Sequence, residues 1–394
     1  MDNFVFCNPT RILFGKGQIS ELSAQVPKNL RAMLVYGGGS IKANGVYDQV
    51  IRALAGRELI EFSGIEANPL FETCMAAVEK VKRERIGYLL AAGGGSVFDA
   101  CKFIAAAVCY EGKDPWDICV QKLPLTAALP WGGVLTLPAT ASEMNSGSVI
   151  TRQSTQQKLF FFDPLVFPQF SILDPETTYS LPPRQTANGV IDTFIHTTER
   201  YLTFANDSFV VDRMAEGILA TLIELGPKAL RRPRDYAVRA NLMWAATLGH
   251  NGILDPGMPQ DWASHMIGHE LTALYGVDHA QSLAVVLPGL LRHQRKRKQK
   301  KLLQYGERIW KIRRGTAAQR VESAIRKTEE FFRSLGVGTT FADYGIPAED
   351  CGRIAERAVG HQGMLGEHKD LGVKEVAEVL RLCVGGKPRG RSRR

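Results

Sequence analysis

"IGYLLAAGGGSVFDACKFIAAAVCY", residues 86 to 110, runs from an apolar segment through three glycines into a stretch with helical spacing. A short apolar run bounded by glycine reads as a buried strand, and the stretch after it as a helix. A nearly identical turn stands upstream, where "RAMLVYGGGSIK" (31–42) delivers a strand into Gly37, Gly38, Gly39 and Ser40. Between the two, "YDQVIRALAG" reads as a helix ended by Gly56, "LIEFSGI" as a strand, and "FETCMAAVEKVKRER" as an amphipathic helix. Strand and helix alternating three times predict a Rossmann-like, doubly wound parallel sheet covered on both faces, in an N-terminal α/β domain.

In such sheets ligands sit at the carboxyl ends of the strands, where both glycine turns fall. Glycine lets backbone approach a phosphate closely, and the following helix offers unpaired N–H groups and a positive dipole end. Neither turn fits G-x-G-x-x-G cleanly. A dinucleotide has two ends with a pyrophosphate between, however, so two turns on neighbouring strands can serve one ligand. A turn that prefers NAD usually has an acid nearby for the ribose hydroxyl. Here Gly39 is followed by Ser40, Ile41 and Lys42, and the first acid is Asp48.

The paired prolines of "YSLPPRQTANGV" (179–190) mark a boundary. Beyond them helical periodicity covers 186–203, 208–225, 235–250, 261–275, 300–313 and 318–335. The expected organisation is an α/β domain over 1–182, a helical domain over 183–384 and a basic tail over 385–394. In the helical part, "NGVIDTFIH" places Asp192 and His196 four apart, on one helix face, and "DWASHMIGHELTALYGVDHAQ" does the same for His265 and His269. His279 follows ten residues after His269. One carboxylate and several imidazoles suit Zn²⁺ or Fe²⁺; spacing alone leaves open which three histidines are ligands.

With 394 residues, 45% hydrophobic, the chain has the size and composition of a soluble protein of two domains. Seven cysteines without a Cys-x-x-Cys pair point to a reducing, cytoplasmic setting rather than a disulfide frame or thiolate metal site. The N-terminus lacks a signal-peptide pattern, and glycines, Asp99 and Lys102 interrupt the most apolar stretch, which excludes a membrane span there. The net charge of +9 is local: "RHQRKRKQKK" (292–301) carries seven basic residues and "KPRGRSRR" (387–394) five. These segments read as a solvated helix face and a frayed tail, or alternatively as an electrostatic footprint for nucleic acid.

With both constellations in one chain, the sequence resembles the iron-containing (group III) alcohol dehydrogenases, in the branch of NADPH-dependent aldehyde reductases and butanol dehydrogenases. The resemblance is carried by "NPTRILFGKG", "YGGGSIK", "GGGSVFDACKFIAAA", "VLTLPATASEMN", "LPPRQTANGVIDTFIHT", "AEGILATLIELGPKAL", "RANLMWAAT", "PQDWASHMIGHELTA" and "DHAQSLAVVLP". It implies the two-domain fold of dehydroquinate synthase and reduction of small aldehydes, reversible as alcohol oxidation, with NADP(H) and one divalent metal, Zn²⁺ rather than Fe²⁺.

It further implies that Asp192, His196, His265 and His279 are the metal ligands and that His269 lies beside the nicotinamide, where it assists proton movement. Gly93, Gly94, Gly95 and Ser96 would hold the pyrophosphate, with Asp99 near the nicotinamide half. Thr136, Thr140 and Lys158 match positions lining the cofactor groove. Gly37, Gly38, Gly39, Ser40 and Lys42 would face the adenosine ribose, where a hydroxyl and an ammonium favour a 2′-phosphate. Relatives commonly form homodimers through the N-terminal domain, and "NFVFCNPTRILFG" is compatible with that.

One departure is "TASE" where relatives read "TGSE": Ala141 is expected to be tolerated at negative φ and to loosen cofactor binding at positive φ. A rival reading is a dehydroquinate synthase-like lyase, which uses NAD and a metal on a phosphorylated sugar acid. Trp262, Met266 and Leu271 beside the histidines favour a small apolar carbonyl instead. A non-catalytic scaffold binding nucleic acid through the basic segments is the other alternative, and the intact ligand positions weigh against it.

Overall fold

A computed structural model describes residues 1–122, 124–205 and 207–385. The expected basic tail, Gly385 apart, lies outside the described residues. The chain divides into two compact units: an α/β unit of Phe6–Thr186 with Arg231–Gly252, and a helical unit of Met1–Val5, Ala187–Leu230 and the residues from Ile253 onward.

The α/β unit is built on a six-stranded sheet of β1 (Arg11–Phe14), β2 (Ala32–Tyr36), β3 (Leu59–Phe62), β4 (Tyr88–Gly94), β5 (Trp131–Leu137) and β8 (Phe170–Leu173). The spatial order is β1-β8-β5-β4-β2-β3, and every pairing is parallel. The remaining strands, β6 (Gly147–Arg152) and β7 (Gln157–Phe162), form an antiparallel ribbon. Strands β2, β4 and β5 are buried almost throughout, as expected for parallel strands packed on both faces. Helix Gly95–Val108 is buried on nearly all sides, which explains a sequence that is apolar around its whole circumference.

The strand order reverses between β2 and β4: the chain steps outward from β2 to β3, then returns to β4 on the other side. Ligands of open α/β sheets bind at this kind of switch point. Both glycine turns leave these two strands, so the repeated motif flanks it.

The helical unit contains most of helix Pro183–Tyr201, then Phe209–Arg231, Ala263–Tyr275, His279–His293, Gln299–Arg308, Ala317–Ser334, Cys351–Gln362 and Val373–Cys383. Two expectations change. Helix Tyr236–His250, expected in the helical domain, groups with the α/β unit, where Met243 enters the sheet-side core and Thr247 Oγ1 donates to Glu143 at 2.6 Å. Periodicity identifies a half-buried helix without identifying what it is buried against. The helix expected over 300–313 stops at Arg308. No helix among the described residues is long and apolar enough to cross a membrane.

The basic run is not simply a solvated face. Lys298 and Lys301 are buried: Lys298 Nζ donates to Leu202 O (2.6 Å), Asp261 Oδ2 (2.8 Å) and both oxygens of Glu367 (2.7 Å each), and Lys301 Nζ to Asp212 Oδ1 (2.5 Å). Arg292 holds Glu322 and Glu329, and Arg297 pairs with Asp370. Four of the seven basic residues thus neutralise acids of their own unit, which removes much of the footprint a polyanion would need.

Two carboxylates share the buried Lys298. Burial, and then the neighbouring Asp261 charge, push the Glu367 carboxyl up to about 7. An unfolded glutamate titrates near 4.3. A folded-state value above that contributes stability below about pH 4, which is lost as pH rises through neutrality. Glu367→Gln, which cannot titrate, should therefore gain in melting temperature relative to wild type between pH 5 and pH 8. Thermal unfolding across that range checks this, and a flat difference would contradict it.

Candidate metal centre and dinucleotide turns

Helix Pro183–Tyr201 presents Asn188, Asp192, His196 and Glu199 on one face, at helical spacing. Helix Ala263–Tyr275 brings His265 and His269 one turn apart, and His279 is the first residue of helix His279–His293. Asn188 Nδ2 donates to Asp278 Oδ2 at 2.8 Å, which fixes the residue just before His279.

The candidate ligand atoms of Asp192, His265 and His279 all lie within 4.8 Å of one another. His279 Nε2 is 3.7 Å from Asp192 Oδ1. Ligand atoms bound at zinc distances would stand about 3.4 Å apart along a tetrahedral edge, so small side-chain movements suffice. His196 lies beside this trio: its Nδ1 is 3.6 Å from Asp192 Oδ1, and its ring stacks on His265 at 4.5 Å between centroids. His269 stands at the rim, 5.5 Å from His279 and 6.5 Å from His265 between ring centroids. Trp262 walls the cluster, with its ring edge-on to His265 at 5.2 Å and the Arg200 guanidinium 4.5 Å over its face.

The donor set fits a divalent cation. Asp192, His265 and His269 are almost fully buried, an environment costly for a carboxylate that no cation compensates. His265 Nε2 is buried and has no hydrogen-bond partner among the described residues, while its Nδ1 is held by Glu199 Oε2. An imidazole anchored on one nitrogen and open on the other is the usual arrangement of a metal ligand. In the sequence the only signal for Glu199 is its spacing of three from His196 and seven from Asp192.

In the α/β unit the two turns differ. Gly39 has φ +98° and ends β2's turn, and a Cβ at Gly38 or Gly39 would meet nothing within 4 Å, so the first turn borders open space. At the second turn space is taken up by the protein itself: a Cβ on Gly95 would lie 2.4 Å from Thr140 Oγ1. That turn starts helix Gly95–Val108, whose N-terminus receives no side-chain cap, so its N–H groups suit an anionic group. Ser96 Oγ accepts the Asn68 N–H at 3.3 Å, and Lys158 Nζ donates to Asn68 Oδ1 at 2.7 Å, which links β7 to the turn. Thr136 is buried on β5, and Thr140 Oγ1 accepts the Ser142 N–H at 3.2 Å.

Asp99, expected beside the nicotinamide half, has both carboxylate oxygens engaged elsewhere: Ser142 Oγ donates at 2.5 Å and Val149 N at 3.1 Å. It ties its helix to β6 and to the segment that precedes it. One turn on, the fully buried Lys102 Nζ donates to Ser142 Oγ (2.8 Å), Asn145 Oδ1 (2.7 Å) and Gly147 O (2.6 Å). Burial lowers its pKa to about 8. Lys102 appeared in the sequence only as an interruption of an apolar run, and its spacing of three from Asp99 is the signal that was available.

The first turn has no acid of its own, but one reaches it from the neighbouring strand. Glu61, on β3, accepts from Tyr47 OH (2.6 Å) and Tyr36 OH (2.7 Å), and Lys42 Nζ lies 3.4 Å from it. Lys42 stands over the Tyr47 ring, 4.6 Å from the centroid. The hydrogen bonds from Tyr47 and then Tyr36 hold the Glu61 carboxyl below its ordinary range, so it is charged at neutral pH.

Comparison with known proteins covers both units. The profile described as iron-containing alcohol dehydrogenase matches residues 9–175, and that of the Fe-containing alcohol dehydrogenase family, C-terminal, matches 186–384. The chain is 52% identical to the NADPH-dependent aldehyde reductase YqhD of Escherichia coli, over 94% of this chain and 97% of that one. It is 40% identical to a probable NADH-dependent butanol dehydrogenase of Bacillus subtilis, over 98% and 100%. Among solved structures, Escherichia coli YqhD superposes with a TM-score of 0.96 at 50% identity, covering 97% of this chain and 99% of that one. NADH-dependent butanol dehydrogenase A of Thermotoga maritima gives 0.94 at 35% identity, over 98% and 99%.

Ala141 adopts φ +51° and is fully buried, so its backbone is in the positive-φ case set out above. A non-glycine residue in this region costs on the order of 1 kcal/mol or more. Ala141→Gly should raise the unfolding midpoint and tighten NADPH binding. Calorimetric unfolding with a binding titration reads both, and a lowered midpoint would show that the methyl packs better than its backbone strains.

Proposed function

The chain belongs to the iron-containing alcohol dehydrogenase family, and from that premise we propose that it reduces small aldehydes to alcohols with NADPH, and oxidises alcohols in reverse. The observation that carries this reading is the convergence of Asp192, His265 and His279. These three, with His196 beside them, would hold the divalent metal. One carboxylate and up to three imidazoles suit Zn²⁺ or Fe²⁺; of the two Zn²⁺ is the ion proposed, although the family takes its name from iron. The helical unit is thus the proposed metal-binding domain, and the α/β unit the dinucleotide-binding domain.

When bound, the metal supplies Lewis-acid polarisation of the carbonyl oxygen and the reduced nicotinamide supplies hydride. The protein's part is to hold and to protonate. Asp192 contributes the one negative charge, and Glu199 and Asn188 keep His265 and His279 in place. His269, at the rim, would hand a proton from its ring nitrogen to the developing alkoxide. Trp262, whose ring lies edge-on to His196 and His265, gives the neighbourhood an apolar wall that suits a small aldehyde, whereas Leu271 belongs to the apolar core and Met266 packs against it.

The NADPH preference is supported by the first turn, with no acid of its own and with Lys42 compensating Glu61. Homodimerisation is proposed from β1, whose place at the sheet edge leaves its outer backbone groups without a strand partner within the sheet. A cytoplasmic setting is proposed from the seven cysteines, all free thiols.

The test is kcat/KM for butanal with NADPH and with NADH on protein of assayed metal content. We expect preference for NADPH, and Lys42→Ala should erode it, since the change removes a cation and leaves the Glu61 charge uncompensated. An unchanged ratio in that variant would remove Lys42 from the account. His265→Ala should lose metal and turnover together, whereas His269→Ala should keep the metal and lose about 10²- to 10⁴-fold in rate. Metal loss in the His269 variant would reverse the two assignments.

A further inference from the structure

We propose that Glu199 is a positioning residue for His265: it fixes the ring with Nδ1 protonated and Nε2 facing Asp192 and His279, and thereby sets the affinity of the metal site. The inference rests on the metal reading above. Glu199 is buried, its side chain 2% exposed. Three donors converge on its two oxygens. Ser264 N donates to Oε1 at 2.8 Å, His265 N donates to the same oxygen at 3.4 Å, and the His265 ring meets Oε2 through Nδ1. The main chain is tied as well, since Asp261 N donates to Glu199 O at 3.0 Å.

A carboxylate is the side chain this arrangement requires, because both of its oxygens accept. With Oε1 committed to the backbone of the first turn of helix Ala263–Tyr275, only Oε2 is left for the ring. Nδ1 must then carry the proton, and the Nε2 lone pair is the one free to bind a cation. That nitrogen is buried and has no hydrogen-bond partner among the described residues. Partners of this kind set ligand orientation and basicity, and their loss typically weakens metal binding by about 10- to 100-fold.

Glu199→Gln separates this role from simple capping. The glutamine oxygen can still accept from the backbone N–H groups, which leaves its NH₂ facing Nδ1. The ring must then accept at Nδ1, protonate Nε2 and lose its ligand lone pair. Two measurements test the proposal: the His265 tautomer from long-range ¹H–¹⁵N spectra of metal-free, histidine-labelled protein, and Zn²⁺ affinity by competition with a chelator. We expect Nδ1–H in wild type, Nε2–H in Glu199→Gln, and Zn²⁺ binding weaker by about 10- to 100-fold in the variant.

A wild-type His265 protonated at Nε2 overturns the proposal without any variant. So does a variant that binds Zn²⁺ as tightly as wild type. Wild-type protein that binds no Zn²⁺ and no Fe²⁺ overturns the metal reading itself, and is told apart because it leaves the tautomer result standing.

Discussion

A buried carboxylate facing several imidazoles is the constraint on which the helical unit is organised. Asp192 is withdrawn from water together with His196, His265 and His269, and such a group is tolerable only where a cation or donors compensate it. Each neighbouring element contributes to that compensation. Helix Pro183–Tyr201 carries the acid and, on the same face, the two side chains that anchor its partners: Asn188 toward Asp278, and Glu199 toward His265. Around this, Lys298 joins Asp261, a few residues before His265, to Glu367 from the far C-terminal region of the same unit. The ligand cluster is therefore framed by hydrogen-bonded and ionic ties, in addition to the apolar core of Ile267, Leu271, Val285 and Leu290.

The α/β unit follows a different logic, in which glycine serves packing as much as ligand approach. At the second turn the glycines let helix Gly95–Val108 and the Thr140 loop close on β4, and Asp99 and Lys102 then fasten that loop from beneath. At the first turn the glycines border open space, and the electrostatics come from a neighbouring strand through Glu61. One motif repeated on adjacent strands thus stands in two different environments.

What was legible in the sequence is what is local. Buried parallel strands read as apolar runs into glycine, and helical spacing brought Asp192 with His196 and His265 with His269 onto common faces. Joining the two pairs with His279 required the motif resemblance, since spacing within one helix says nothing of which helix packs beside it. The misreadings share that cause. The basic run reads as solvated because the partners of Lys298 and Lys301 lie 37 to 96 residues away. The first turn looked free of acid because Glu61 arrives through the β2–β3 pairing. Helix Tyr236–His250 packs in the α/β unit rather than the helical one, which its sequence does not show because amphipathicity reveals a buried face and not its neighbour.

The central claim is that Asp192, His265 and His279 hold a divalent metal, and the direct measurement is anomalous diffraction across the zinc and iron absorption edges from crystals of the isolated protein. The account predicts one anomalous peak within about 2.0–2.2 Å of ligand atoms from those three residues, its edge identifying the ion. A peak bound elsewhere in the chain, or none in protein that turns over aldehyde, would contradict it.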